Sequence, residues 1–359
     1  MKIGIIGAAN VGKTTLFNAL TGLDIPTTVY TTTEAEPHIA VVKVPDERLE
    51  RLSEIYRPRK TTPATVEYVD YLGLTKGDLA QNRKVLDHIK DVDALVHVIR
   101  GFKDEAVIHP LGEIDPLRDA ETIRLELIFS DLELVDKRLE RIEEARKKGK
   151  KTDRSEEEVL KKCKEALEAE KPLRAVDFTE DELLALRHLQ FITLKPEVMV
   201  INLDETMLNT EEEQALLDEF KSRFNDPTIT LSGKIEMEIA QLQPEEQKAF
   251  LEDLKIKEPA MNRLIRVCYD HLGLISFFTV GEDEVRAWTI KRGTPAQRAA
   301  GKIHSDIERG FIRAEVISYE DFISSGASMN EARQRGLVRL EGKTYEVKDG
   351  DIINFRFNV

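Results

Sequence analysis

Short, almost wholly apolar runs recur along the first half of the chain and again before its C-terminal quarter. Residues 2–6 (KIGII), 94–100 (ALVHVIR) and 197–201 (EVMVI) read as buried strands, because sheets covered on both faces show no polar alternation. Residues 65–70 (TVEYVD) alternate before ending in an acid, and 228–231 is a further strand-like stretch. The run from Thr15 to Leu20 predicts a helix after the first strand. From 125 to 142 the period changes: Leu125, Ile128, Leu132, Val135, Leu139 and Ile142 are spaced 3, 4, 3, 4, 3, the seam of a coiled coil. Leu160, Cys163 and Leu167 repeat this spacing, and the Gly-containing stretch between the runs predicts an antiparallel helical hairpin. After residue 275 the pattern is mixed, with strand-like runs at 276–280, 286–290, 345–347 and 352–357 around one helix over 294–308, where Pro295 suits the first turn.

This order predicts an α/β class. A doubly wound, mainly parallel sheet (about 1–118 and 190–274) carries an inserted helical hairpin (119–189), and a small β-grasp module follows (275–359).

The chain has 359 residues and a net charge of −14, from 53 basic and 67 acidic side chains. That balance excludes a generally basic nucleic-acid coat. Two cysteines exclude a disulfide framework, and no apolar run approaches the roughly 18 residues of a membrane helix. A cytoplasmic protein with no membrane partner is the simplest expectation, and a monomer is favoured. Residues 275–359 hold 13 basic and 13 acidic groups, so the negative charge lies upstream. Against it, the hairpin tip from Arg146 to Arg154 places six basic residues and one acid in nine positions. RNA phosphates would suit that patch; a solvated loop would look the same.

The first strand runs into Gly7-Ala-Ala-Asn-Val-Gly12-Lys13-Thr14, a G-x-x-x-x-G-K-[ST] phosphate loop between a strand and a helix. Glycine-rich backbone turns its N–H groups onto polyphosphate, and the helix N-terminus adds its positive end. Ala9, Asn10, Val11, Gly12, Lys13, Thr14 and Thr15 are therefore the candidate nucleotide-binding segment. Lys13 suits the β/γ phosphates and Thr14 suits Mg²⁺. Asp70-Tyr-Leu-Gly73 follows in the order and place of a D-x-x-G switch: the Asp70 carboxylate for Mg²⁺, the Gly73 N–H for the γ-phosphate. Thr33, with Thr32 as the other leading choice, is the candidate hydroxyl that completes the metal shell. Position 74, where many Ras-like GTPases use a water-orienting Gln, is Leu74. Hydrolysis is then slow or takes its water contact from elsewhere.

After the third buried run comes Asn202-Leu203-Asp204-Glu205, where GTPases carry N-K-x-D. Asn202, Leu203, Glu205, Ser232 and Gly233 are the candidate base-site residues. The lost Lys and the longer acid weaken a GTP-only reading, since adenine offers an acceptor at N1 where guanine offers a donor. Guanine reading by Glu205 or Asp204 stays open.

These motifs, with VPDERL (44–49), FITLKP (191–196), EVRAWTI (284–290), GKIHSDIERGFIRAEVI (301–317), YEDF (319–322) and KDGDIINFRFNV (348–359), resemble the Obg-like ATPase family, also called YchF. The resemblance covers essentially the whole chain. It implies a translation-factor-related P-loop NTPase with a coiled-coil insertion and a C-terminal TGS domain. It also implies ATP use with GTP possible, slow hydrolysis unless stimulated, and association with ribosomes. By the same resemblance His109 matches the histidine proposed to assist hydrolysis, and Asn10 the position that helps hold K⁺. The residues alone also allow a loop histidine before a proline, and a nucleotide-gated binding protein with negligible hydrolysis. The chain departs from the family at Asp70–Asp78, where the glycine-rich continuation is shortened, and at Thr31–His38.

Overall fold

In the computed structural model the elements follow one another as β1 (Lys2–Ile6), α1 (Lys13–Thr21), β2 (His38–Lys43), α2 (Glu47–Tyr56), β3 (Lys60–Thr62), β4 (Thr65–Asp70), α3 (Leu79–Ile89), β5 (Ala94–Gly101), α4 (Pro116–Lys147), α5 (Arg154–Glu168), α6 (Glu180–Leu186), β6 (Glu197–Leu203), α7 (Glu211–Arg223), β7 (Thr228–Leu231), α8 (Gly233–Gln241), α9 (Pro244–Asp253) and α10 (Ala260–His271). Then come β8 (Leu274–Thr279), β9 (Glu284–Lys291), α11 (Ala296–Ile303), α12 (Ser305–Arg309), β10 (Phe311–Ser318), α13 (Tyr319–Ser324), α14 (Met329–Gln334), β11 (Arg339–Glu341) and β12 (Asp351–Phe357). The structure describes residues 1–26, 37–75, 79–151, 153–253 and 256–358. The chain divides into two compact units, Met1–Val41 with Glu67–Leu264, and Val42–Val66 with Ile265–Val359.

The first unit is built on a sheet of order β2-β4-β1-β5-β6-β7. β1 pairs in parallel with β4 on one side and β5 on the other, and β6 and β7 continue in parallel. The build direction therefore reverses at β1. Ligands of open α/β sheets sit beyond the carboxyl ends of strands at such a switch point. β5 is buried from Ala94 to Arg100 and β6 from end to end, as their unbroken apolar runs require.

α4 begins with Asp115 accepting from the Arg118 N–H at 3.0 Å and with Pro116 in its first turn, and it ends before Gly149 at φ 71°. Its seam residues Ile128, Val135 and Ile142 pack with Leu160, Cys163 and Leu167 of α5 and with Phe191. Cys163 is thus a seam residue, and burial pushes its thiol up to about 12. The tip is less bare than its composition suggests. Arg146 pairs with Glu157, Lys147 with Glu143 at 2.7 Å, and Lys148 with Glu144 at 3.4 Å.

The second unit carries a mixed sheet of order β11-β10-β12-β8-β9-β3. Ile275, Phe277, Ile290, Phe311, Val316 and Ile353 pack against Ala296, Ala299 and Ala300 of α11, a β-grasp arrangement. The expected single helix over 294–308 is two helices. They break at His304, whose Nδ1 accepts from the Asp306 N–H at 3.2 Å and caps α12. The expected strand at 345–347 makes only an isolated bridge between Glu346 and Pro295. Trp288 is part-buried on the core, with its Nε1–H donating to Thr279 at 2.9 Å and the Arg286 guanidinium 3.8 Å from its ring.

One contribution was not expected. Residues 42–66 belong to this second unit, and β3 pairs in parallel with β9. Arg48, from the VPDERL motif, bonds Asp349 at 2.7 Å, and Asp349 accepts from the Ser276 N–H at 2.9 Å.

Candidate functional site

The phosphate-loop residues lie between β1 and α1. Gly12 caps α1 at φ 93°, and a Cβ there would come within 2.3 Å of Asn202 Nδ2, so glycine is required twice over. Asn10 takes the left-handed conformation at φ 60°, which asparagine tolerates better than most residues. Ala9 and Val11 are buried, and Thr15 is half-buried.

Lys13 is buried and donates from Nζ to the Ala8 carbonyl at 2.6 Å. Burial pushes its ammonium down to about 8, with Asp70 pulling the other way. Thr14 Oγ1 donates to Asp70 Oδ2 at 2.8 Å. Burial raises the Asp70 pKa, opposed by Lys13 and Thr14. Asp70 Oδ1 is buried and accepts no hydrogen bond among the described residues. An orphaned carboxylate oxygen beside a Thr hydroxyl suits a hard cation such as Mg²⁺.

The D-x-x-G segment is pressed onto the phosphate loop. A Cβ on Gly73 would lie 2.6 Å from both Cα and N of Ala9. The Leu74 N–H donates to the Gly7 carbonyl at 3.0 Å, and the Leu74 side chain is buried. Leucine at this position is therefore a packing residue. Thr32 and Thr33 lie outside the described residues.

Asn202 joins three loops. Its Nδ2 donates to the Val11 carbonyl at 3.1 Å, and its Oδ1 accepts from the Gly233 N–H at 2.9 Å. Leu203 is buried at the end of β6, and Ser232 is buried at the start of α8. Asp204 Oδ2 accepts from the Lys103 N–H at 2.9 Å, which commits that carboxylate to the β5–α4 loop. Glu205 is an exposed acid whose Oε2 lies 3.7 Å from Lys234 Nζ.

His109 is turned inward. Its side chain is 5% exposed, Nδ1 accepts from the Leu111 N–H at 3.1 Å, and Nε2 lies 2.9 Å from Asp119 Oδ2. Asn10 reaches the same loop, donating from Nδ2 to the Ile108 carbonyl at 3.2 Å. Two neighbours escaped sequence reasoning. Asp119 is a buried acid in the first turn of α4, and its only signal was its place after Asp115-Pro116. Arg100 is buried and, among the described residues, donates to carbonyls, those of Phe102 at 3.2 Å, Asp104 at 3.2 Å and Asn10 at 3.4 Å. Its signal was a charge closing an apolar strand. No cluster of three or more His, Cys, Asp or Glu suited to a metal occurs among the described residues.

A family model described as 50S ribosome-binding GTPase matches residues 2–152, and the YchF-GTPase C-terminal model, described as a protein of unknown function, matches 274–358. The chain is 45% identical to the ribosome-binding ATPase YchF of Bacillus subtilis, covering 100% of both. It is 41% identical to the protein of that name from Escherichia coli O157:H7, covering 100% of this chain and 99% of the relative. Among solved structures, the Schizosaccharomyces pombe YchF GTPase superposes with a TM-score of 0.84 at 31% identity, over 99% of this chain and 97% of that one. With the phosphate loop, the switch-point sheet and the C-terminal module in place, this chain belongs to the YchF family of P-loop nucleotide-binding proteins.

Proposed function

We propose that the chain is a Mg²⁺-dependent ATPase that works on the ribosome as a nucleotide-controlled switch, with GTP as a lesser substrate. The observation that carries it is the packing of the D-x-x-G segment on the phosphate loop, with Asp70 Oδ1 left without a partner among the described residues. Ala9 to Thr15 would cradle the phosphates, Lys13 would exchange the Ala8 carbonyl for phosphate oxygens, and the Gly73 N–H would meet the γ-phosphate. Thr14 and Asp70 would hold Mg²⁺, with Thr33 as a further ligand in the nucleotide-bound state. The metal supplies neutralisation of the charge on the β- and γ-oxygens. K⁺ at Asn10 rests on resemblance alone.

Adenine preference is supported by the two acids of the base loop. Asp204 Oδ2 already accepts from the Lys103 N–H and the Glu205 carboxylate lies beside an ammonium, so each would have to share or give up a contact to accept from guanine N1–H and N2–H₂. The names of the bacterial relatives, ribosome-binding ATPases, support the same reading. With Leu74 buried, no side chain at that position orients water, so we assign slow basal hydrolysis and give the assisting role to His109. The arm 119–189 and the module 275–359 are the surfaces we assign to partners. The GTPase wording attached to the matching N-terminal model and the yeast structure keeps GTP preference as the competing reading.

Competitive binding of ATP and GTP with Mg²⁺, using Lys13→Ala as control, tests this. ATP binding at least as tightly as GTP, with both lost in the variant, is the expected result. A GTP advantage above tenfold, about 1.4 kcal/mol, would overturn the adenine reading and leave the fold intact. Phosphate release with and without ribosomes separates a switch that hydrolyses from one that only binds.

A further inference from the structure

The β5–α4 loop places an apolar side chain outward and a histidine inward, the reverse of a free surface loop. Ile108 is 78% exposed, while the neighbouring His109 side chain is 5% exposed. Of the two imidazole nitrogens only Nδ1 makes a hydrogen bond among the described residues. Nδ1 accepts from the Leu111 N–H, so it carries no proton, and the neutral ring must carry its proton on Nε2. Nε2 faces Asp119 Oδ2 at 2.9 Å, off the line of a full hydrogen bond, and neither atom has another partner among the described residues. The acid itself is fixed. Arg118 holds its Oδ1 from Nη2 at 2.7 Å and from Nε at 3.1 Å, and the Asp119 N–H donates to Asp115 in the capped first turn of α4.

We infer that Asp119 is a positioning residue that holds His109 in a resting place, Nε2 proton toward the carboxylate, where the ring can orient no water. This rests on the reading of His109 as the group that assists hydrolysis. Two features make release workable. The pair is imperfectly aligned, so it holds the ring less firmly than a linear charge-assisted bond would. A turn of the loop that frees His109 can also bury Ile108, which offsets the lost contact. Asn10 is the physical link to the nucleotide loop. Its side-chain amide grips the Ile108 carbonyl, so a ligand that recruits that amide loosens the loop one residue before the histidine. Asp119 stands at the root of the helical arm, so a partner that shifts the start of α4 acts on the same contact.

The test compares the full-length wild type with Asp119→Ala, Asp119→Asn, His109→Ala and the double variant Asp119→Ala/His109→Ala. Single-turnover phosphate release from ATP with Mg²⁺ and K⁺, without ribosomes, is read beside the ring ¹⁵N–¹H correlations of His109. The wild type is expected to show an Nε2–H signal that is slow to exchange with water and shifted by the facing carboxylate. Asp119→Ala is expected to lose that signature and to hydrolyse at least about threefold faster, with the gain absent in the double variant. Asp119→Asn, which keeps an acceptor, is expected to fall between them, and it carries the test if the alanine variant does not fold. An unchanged His109 signature in both folded variants, or a folded Asp119→Ala that is no faster than wild type, overturns the inference. A His109→Ala variant with undiminished ribosome-stimulated hydrolysis instead removes the catalytic reading, while the shift and exchange of the His109 Nε2 proton still decide whether Asp119 holds the ring.

Discussion

Thr14 Oγ1 donates to Asp70 Oδ2 at 2.8 Å, a bond between the residue that opens α1 and the last residue of β4. It sets the two expected Mg²⁺ ligands side by side, and Asp70 Oδ1 is buried with no hydrogen-bond partner among the described residues. Asp70→Asn keeps the size and removes the charge. It is expected to weaken Mg²⁺–ATP binding by about tenfold or more while changing binding of ATP in EDTA little, because the lost interaction is with the metal. Calorimetric titration with and without Mg²⁺ reads both. Equal losses in the two conditions would place Asp70 outside the metal shell.

Lys13 offers a pH test. Burial holds its ammonium down at about 8, and bound phosphate would raise it again. ATP is already fully ionised above pH 7.5, so the protein supplies the titrating group. Only the protonated lysine binds phosphate well. Affinity is therefore expected to be flat below pH 8 and to fall by up to about tenfold per pH unit above it. A titration from pH 7 to 9.5 with Lys13→Arg as reference checks this, since the guanidinium stays charged throughout.

The parts of this site that a sequence can carry are those set by local backbone chemistry. Gly12 must adopt a positive φ next to Asn202, Lys13 and Thr14 must follow it, and an unbroken apolar strand must precede it. Each requirement leaves a residue type at a fixed offset. The heptad spacing of α4 and α5 is legible for the same reason. What stayed hidden depends on partners far along the chain. Arg48 reads as an ordinary helix charge until Asp349 closes on it from 301 residues away. His109 reads as a loop histidine until α4 brings Asp119 beneath it. At 345–347 the local pattern gave way to a single bridge between Glu346 and Pro295, whereas the break at His304 is itself local, the imidazole capping α12.

Asn202 holds loops that no other side chain joins among the described hydrogen bonds. Replacing it with alanine strands the Val11 carbonyl and the Gly233 N–H, both at buried bonds. At about 1–3 kcal/mol for each buried group left unsatisfied, Asn202→Ala is expected to lower the thermal midpoint by several degrees and to abolish tight nucleotide binding. Asn202→Asp keeps the acceptor for Gly233 but turns an oxygen on the Val11 carbonyl, and it should rescue neither. Thermal melts with and without ATP separate the stability loss from the binding loss.

The Glu205–Lys234 pair tests base selection. The groups are 3.7 Å apart and well exposed, so their coupling is worth about 0.2–1 kcal/mol. Lys234→Ala frees the carboxylate to accept from guanine. The GTP-to-ATP affinity ratio is expected to rise, and by no more than about fivefold given that energy. Competition with a fluorescent nucleotide in low and high salt reads it, and the effect should shrink in high salt. A ratio that does not move would mean Glu205 never meets the base.

The hairpin tip separates paired from unpaired charge. Arg146, Lys147 and Lys148 are held by Glu157, Glu143 and Glu144, whereas no carboxylate pairs with Lys150, Lys151 or Arg154 among the described residues. A cation already neutralised in the free protein gains less from a phosphate than an unpaired one. Lys150→Ser/Lys151→Ser/Arg154→Ser is therefore expected to weaken ribosome binding more than Lys147→Ser/Lys148→Ser. Each lost RNA phosphate contact should reduce the slope of log affinity against log salt by roughly 0.7–0.9. Ribosome co-sedimentation across a KCl series measures that slope directly. A triple variant with the wild-type slope would show that the tip meets no phosphate.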